Sequence, residues 1–203
     1  MELLEKIKRH IPTYLNPETK KQLFDELKSF PDNIDQRIYS SQEKLSDTII
    51  YQGDIIKRQP IVFLPDINVK ERRVFIISNT CDVDLNNPRP IPNRITYCPI
   101  IDLSAYANIV KRSNHFSTDE GISSHIESIK KQRVTSMFYL PEHGVYKESI
   151  VLFDSATSLN LDEKRKQGML ENRGLKLGNY GFYLFLIKLS IHFTRIEENV
   201  DRT

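Results

Sequence analysis

The sequence predicts an α+β protein: a small, strongly curved antiparallel β-barrel or sheet with helices from both termini packed on it. Two observations carry this. First, Val74-Phe-Ile-Ile-Ser78 is an unbroken apolar run that reads as a strand buried on both faces, so other strands must flank it. Second, short β-type runs bounded by Gly and Pro fill residues 48–101, whereas residues 1–46 and 179–198 carry helical periodicity. At 203 residues the chain can bury a core as a single domain.

Residues 1–46 form the expected helical layer. Asn16-Pro17-Glu18 has the N-cap, N1 proline and first-turn acid of a helix start, and Leu23, Phe24, Leu27 and Phe30 make one apolar face before Pro31. From Thr48 the period changes, with short strands at 48–51, 54–56 and 61–64 divided by Gly53, Pro60 and Pro65. The central strand runs into Asn79-Thr-Cys-Asp-Val-Asp84, a polar loop at the end of a rigid element, where functional side chains tend to be held. Pro88, Pro90 and Pro92 stiffen the loop 85–93, which presents Arg89 and Arg94. A strand at 94–101 follows, then a helical insertion over 102–133, with Ser117-Thr-Asp-Glu120 at capping-box spacing. Two strands, 134–140 and 145–154, are joined as a hairpin by Pro141-Glu-His-Gly144. Residues 155–178 are polar and mixed. The terminal helix is apolar around most of its circumference, except for a stripe of Lys188, His192 and Arg195.

Composition narrows the function classes. The chain is 39% hydrophobic and 28% charged with mean hydropathy −0.44, ordinary for a soluble domain. Twenty-nine basic against 27 acidic residues leave +2, so any nucleic-acid surface has to be local. Two cysteines, Cys81 and Cys98, make neither a disulfide scaffold nor a CxxC zinc site. No secretory signal is visible, and the apolar stretch 180–193 is shorter than the roughly 20 residues that span a bilayer. The expectation is a cytoplasmic protein with no membrane partner, metal or cofactor.

Several constellations are candidates for chemistry. Asp82-x-Asp84-x-Asn86 opens like a calcium loop, but Asn87 and Asn93 stand where the sixth-position Gly and twelfth-position Glu belong, so turn chemistry is the better account. Cys81 near His115 or His125 would suit a cysteine hydrolase, although no local signature of one is present. Arg72, Arg73, Arg89 and Arg94, with the Lys188/His192/Arg195 stripe, could form a phosphate-binding patch, since guanidinium groups hold phosphate bidentately.

The strand set Gly53-Asp-Ile-Ile56, Arg72-x-Val-Phe-Ile-Ile-Ser78, Ile95-Thr-Tyr-Cys-Pro99 and Ser149-Ile-Val-Leu-Phe-Asp154 resembles the MazF/PemK toxin pattern over about a third of the chain. The Ser78-Asn-Thr-Cys-Asp82 stretch also resembles a group of uncharacterised bacterial proteins. The MazF/PemK resemblance implies an SH3-like barrel, usually dimeric, whose members cut single-stranded RNA without metal. Arg72 matches the family's catalytic arginine, Arg73 replaces the proline after it, and the family's threonine falls on Ile101, with Asp102 adjacent as a substitute general base. The missing threonine favours a non-catalytic barrel that binds a protein or nucleic acid in a bacterial toxin–antitoxin or phage-defence setting. The alternative is a metal-independent endoribonuclease using Arg72 with Asp102 or Asp82. In either case Arg73, Arg89, Arg94, Asn79, Thr80 and Cys81 line the binding surface.

Overall fold

The computed structural model describes residues 17, 18, 21, 23, 25, 34–40, 46–63, 65, 68–87, 89–113 and 115–194. The expected helix face at Phe24, Leu27 and Phe30, the stop at Pro31 and the basic position Arg195 lie outside these residues. The described strands are β1 (Ile55–Phe63), β2 (Asn68–Ile76), β3 (Arg94–Asp102), β4 (Met137–Leu140), β5 (Ser149–Leu152) and β6 (Thr157–Asn160). The α-helices whose bounds lie within the described residues are α1 (Leu103–Arg112), α2 (Asp119–Lys130), α3 (Glu163–Glu171) and α4 (Asn179–Thr194).

All pairings are antiparallel, in the order β1–β2–β3–β5–β4, and β6 pairs with the first half of β3. β1 and β4 end the sheet, and no described residues pair them, so the sheet is open where a closed barrel was expected. The mixed α+β class stands. Within the sheet, Val74, Phe75 and Ile76 are fully buried, flanked by Ile55 and Ile56 of β1 and by Tyr97 to Pro99 of β3. The strand stops at Ile76, and Ile77 and Ser78 both donate their backbone N–H to the Thr96 carbonyl, at 3.0 and 3.1 Å.

Period-two alternation sorts the core onto two faces. Ile55, Phe75, Cys98, Ile100, Phe138, Leu140 and Val151 meet α4 through Tyr180, Leu184 and Phe185. On the other face, Ile56, Val74, Ile76, Ile95 and Tyr97 pack with Val83 and Met169 of α3, while Tyr139 and Ile150 pack with Leu103 of α1 and Ile129 of α2. α4 comes so close to Ile38 that a Cβ at Gly181 would overlap the Ile38 carbonyl. Lys188 of α4 is buried rather than part of a surface stripe. Its ammonium donates to the Gln132 carbonyl at 2.7 Å and the Val134 carbonyl at 2.5 Å, and burial pushes it down to about 8. His192 sits 3.2 Å from Asp154.

Three departures from the sequence reading have simple causes. Pro60 does not divide two strands but lies inside β1, a margin strand on which a missing N–H is tolerated. The single strand expected over 145–154 is interrupted after Leu152 by a 3-10 turn at Phe153–Ser155, and pairing with β3 resumes at β6, with Tyr97 opposite Thr157. That strand and α3 were both hidden in a polar stretch, although Asp162, which accepts from the Arg165 N–H at 2.7 Å, is an N-cap signal. At α2 the cap is Thr118, bonded to the Gly121 N–H at 3.1 Å, and not Ser117.

β4 is a margin strand whose outer backbone is covered by a side chain. The Gln132 amide donates to the Tyr139 carbonyl at 2.8 Å and accepts from its N–H at 3.1 Å, as a neighbouring strand would. Gln132 itself is buried and holds φ +56.

Candidate functional site

The expected site residues divide between two ends of β3. Asp82 and Cys81 belong to a 3-10 turn, Thr80–Asp82, in the loop that leads into β3, whereas Asp102 is its last residue. The length of β3, roughly 27 Å at about 3.4 Å per residue, lies between these ends. Alternation separates Arg72 from Arg73 as well. Arg72 pairs with Gln59 and shares the face of Val74, and Arg73 shares the face of Phe75. Arg72, Asp102 and Asp82 therefore do not converge.

The loop end is closed on itself. The Asn79 side chain accepts from the Cys81 N–H at 2.9 Å, Arg89 Nη2 donates to Asp82 at 2.6 Å, and Asp84 accepts from both the N–H and the side-chain amide of Asn86. Thr80 accepts from the Gln52 N–H at 3.1 Å. Arg94 spends its guanidinium on β6, bonding the Ser158 hydroxyl and carbonyl and Asn160 Oδ1. The proline-stiffened loop thus holds Arg89 and Arg94 in place rather than presenting them free. The turn chemistry expected of Asp82 to Asn86 is what forms, and no described residues make a cluster of three or more metal-ligating side chains.

Cys81 is exposed, and its backbone is held by Asn79 and Asn87. The histidines proposed as its partners sit elsewhere, His125 bonded to Tyr106 at 2.8 Å and His115 packed edge-on against Phe116. Cys98 is buried, and desolvation, with a smaller push from Asp154, raises its thiol to about 12.

The other end gathers cations. Between Ile56 and Gln59 the β1–β2 ladder bulges, so that Lys57 and Arg58 together occupy the place opposite Arg73. Arg58 holds φ +54, in the left-handed region that glycine favours. Arg73 Nη2 bonds Asp102 Oδ1, and it also donates to the Ser149 hydroxyl at 3.1 Å. Asp102, at the N-cap position of α1, makes no cap hydrogen bond with its side chain. The Ser149 hydroxyl donates to the Lys147 carbonyl at 2.8 Å, so it is held as a structural donor. Lys57 Nζ and the Arg73 guanidinium lie 5.4 and 5.8 Å from the centre of the Tyr146 ring, within cation–π range. Tyr146 packs against the backbone at Gly174, where a Cβ would fall 2.6 Å from its hydroxyl.

Among the described residues, Arg73 Nε and Nη1 have no acceptor and are not sealed from solvent, and neither Lys57 nor Arg58 has an acidic partner. Arg72 bonds only the Glu71 carbonyl, at 3.1 Å, and Lys70 is exposed two residues away on the same face. Sequence reasoning named Arg72 and Arg73 but missed Lys57, Arg58, Tyr146 and Ser149. The visible signal was a Lys57-Arg58 pair inside an otherwise apolar β run. An open groove of about 450 Å³, lined by Asp47, Glu163, Lys166 and Glu171 among others, contains none of the expected site residues. No helix of the described residues is long and apolar enough to cross a membrane. No family model and no curated protein matches the chain.

Proposed function

We propose that the chain is a non-catalytic binding module, and that it engages its partner through the basic β1–β2 ribbon and the bulge beside Arg73. In this reading the open sheet is a divergent relative of the SH3-like barrel. The protein works in the bacterial cytoplasm, in a toxin–antitoxin or phage-defence setting, as a monomer or homodimer. One observation carries the reading: the carboxylate nearest an expected site arginine, Asp102, is consumed by its ion pair with Arg73. General-base work beside a phosphate needs a free carboxylate and a free cation together. Here Arg72 lies on the face opposite Arg73 and its partner Asp102, and Asp82 is at the other end of β3.

A second reading, a metal-independent endoribonuclease acting on single-stranded RNA, is favoured by Arg72 alone, whose guanidinium is exposed and unpaired by any described acid. Expressing the chain and its Arg72→Ala variant in bacteria separates the two. The binding reading predicts normal growth and intact RNA for both. Toxicity with RNA cleavage that disappears in the variant would establish the nuclease instead.

A further inference from the structure

We infer that the ligand of the basic ribbon is the phosphodiester backbone of a nucleic acid, anchored at the Lys57–Arg58 bulge and the open side of Arg73. This rests on the ribbon being a binding surface and adds the chemistry of what it binds.

Three observations lead there. The bulge sets two cations opposite a third, where a regular ladder would set one. It keeps Arg58 at φ +54, although glycine would hold that conformation without strain. A long basic side chain at a strained backbone position points to use of that side chain.

Among the described residues the charge is also unopposed. Lys57, Arg58, Lys70 and Arg72 form no ion pair with any described residue, and Glu71 is the one acid among the described residues of β1 and β2. Lys70 and Arg72, two residues apart on one strand face, stand about 7 Å from each other. That interval is comparable with the step between phosphates of a nucleic-acid strand, so one strand can meet both.

Finally, the described residues of the ribbon offer little of what a protein partner would need. Protein interfaces rest on buried aromatic and aliphatic anchors inside a polar rim. Among the ribbon residues whose burial is described, the one large apolar side chain exposed is Val69, and the Tyr146 ring is approached by Lys57 and Arg73. A surface whose described side chains are mostly unpaired cations suits a polyanion, whose binding comes from counterion release.

The test uses the full chain and fluorescence anisotropy with labelled single-stranded RNA, duplex DNA and a poly-glutamate peptide, from about 50 to about 200 mM salt. Nucleic acid should bind with an affinity that falls steeply with salt, and the better of the two nucleic acids identifies which form the ribbon fits. Lys57→Ala and Arg58→Gly should each weaken binding several-fold and lower the salt slope by about one. Arg112→Ala, on α1, should change neither. Arg58→Gly relaxes the backbone, so its loss of affinity cannot be blamed on misfolding; its melting temperature checks this. Nucleic-acid affinity unchanged in both ribbon variants overturns the inference. Poly-glutamate binding as tightly, with the same dependence on Arg58, overturns it too but leaves the ribbon as a binding surface. If the folded protein binds none of the three, the ribbon reading falls as well.

Discussion

Two arginine–aspartate pairs of similar chemistry sit at opposite ends of β3, one exposed and one half-buried. Arg89 and Asp82 are seven residues apart, and the Asn79 and Asn86 bonds beside them stay within one loop. Arg73 meets Asp102 across 29 residues and Ser149 across 76, in a setting drier than the loop, with 25% of the Arg73 side chain exposed against 36% for Arg89. The local pair shapes a turn. The distant pair ties β2, β3 and β5 together and still leaves part of a guanidinium open. Span and burial, rather than the identity of the partners, decide what such a pair does.

A third pair extends the comparison. Arg173 lies 3.0 Å from Asp54, both nearly buried, in an ionic contact without hydrogen-bond geometry, and its Nη atoms bond the carbonyls of Ser46 and Ile49. If burial ranks these pairs, Arg173→Ala should cost about 3–5 kcal/mol, seen as a lower urea midpoint at unchanged slope. Burial also pushes the Asp54 carboxyl from 3.8 up to about 6, against the pull of Arg173. Its folded value lies above its unfolded one, so its contribution is full below about 3.8 and is lost as pH rises through about 6. Wild-type stability measured against Asp54→Asn should therefore fall by up to about 3 kcal/mol across that window. Equal pH profiles for the two proteins would break the ranking at its top.

Smaller effects sharpen the lower end. Asp102→Ala should cost about 1–3 kcal/mol, because it strands a half-buried guanidinium. Arg89→Ala should stay within about 1 kcal/mol. Matching midpoints for these two variants would show that the ends of β3 are energetically alike. Arg58→Gly should raise stability by about 0.5–1 kcal/mol through relief of its positive φ. Thiol reagent at neutral pH should modify Cys81 at once and Cys98 only in denaturant, with no change in midpoint from the first modification.

The same contrast explains what was legible beforehand. The buried segment 74–76, the polar turn at 79–86 and α4 were readable because each depends on neighbours in the chain: an apolar run, Asx side chains bonding their own backbone, a helical period. The open sheet was not, since whether β1 meets β4 depends on how far a sheet curls. Arg73 was named, but its partnership with Asp102 and Ser149 joins three strands whose register no local pattern reveals. Lys57 and Arg58 fall between the strands expected at 54–56 and 61–64, which Pro60 was read as dividing. The segment is one strand with an extra residue, which pattern reading cannot tell from a turn. Lys188 was mistaken for a surface cation because a buried ammonium served by two carbonyls has the same letter as a solvated one.

The Gln132 amide on the margin of β4 has a consequence for self-association. An uncovered margin of a sheet is a template on which a second molecule can add a strand and so begin a polymer. Here one buried side chain occupies that template at Tyr139, and Pro60 with the bulge interrupts the opposite margin. Gln132→Ala would uncover the backbone of β4 without touching the basic ribbon, and the expected outcome is a protein that still folds yet becomes prone to fibre growth.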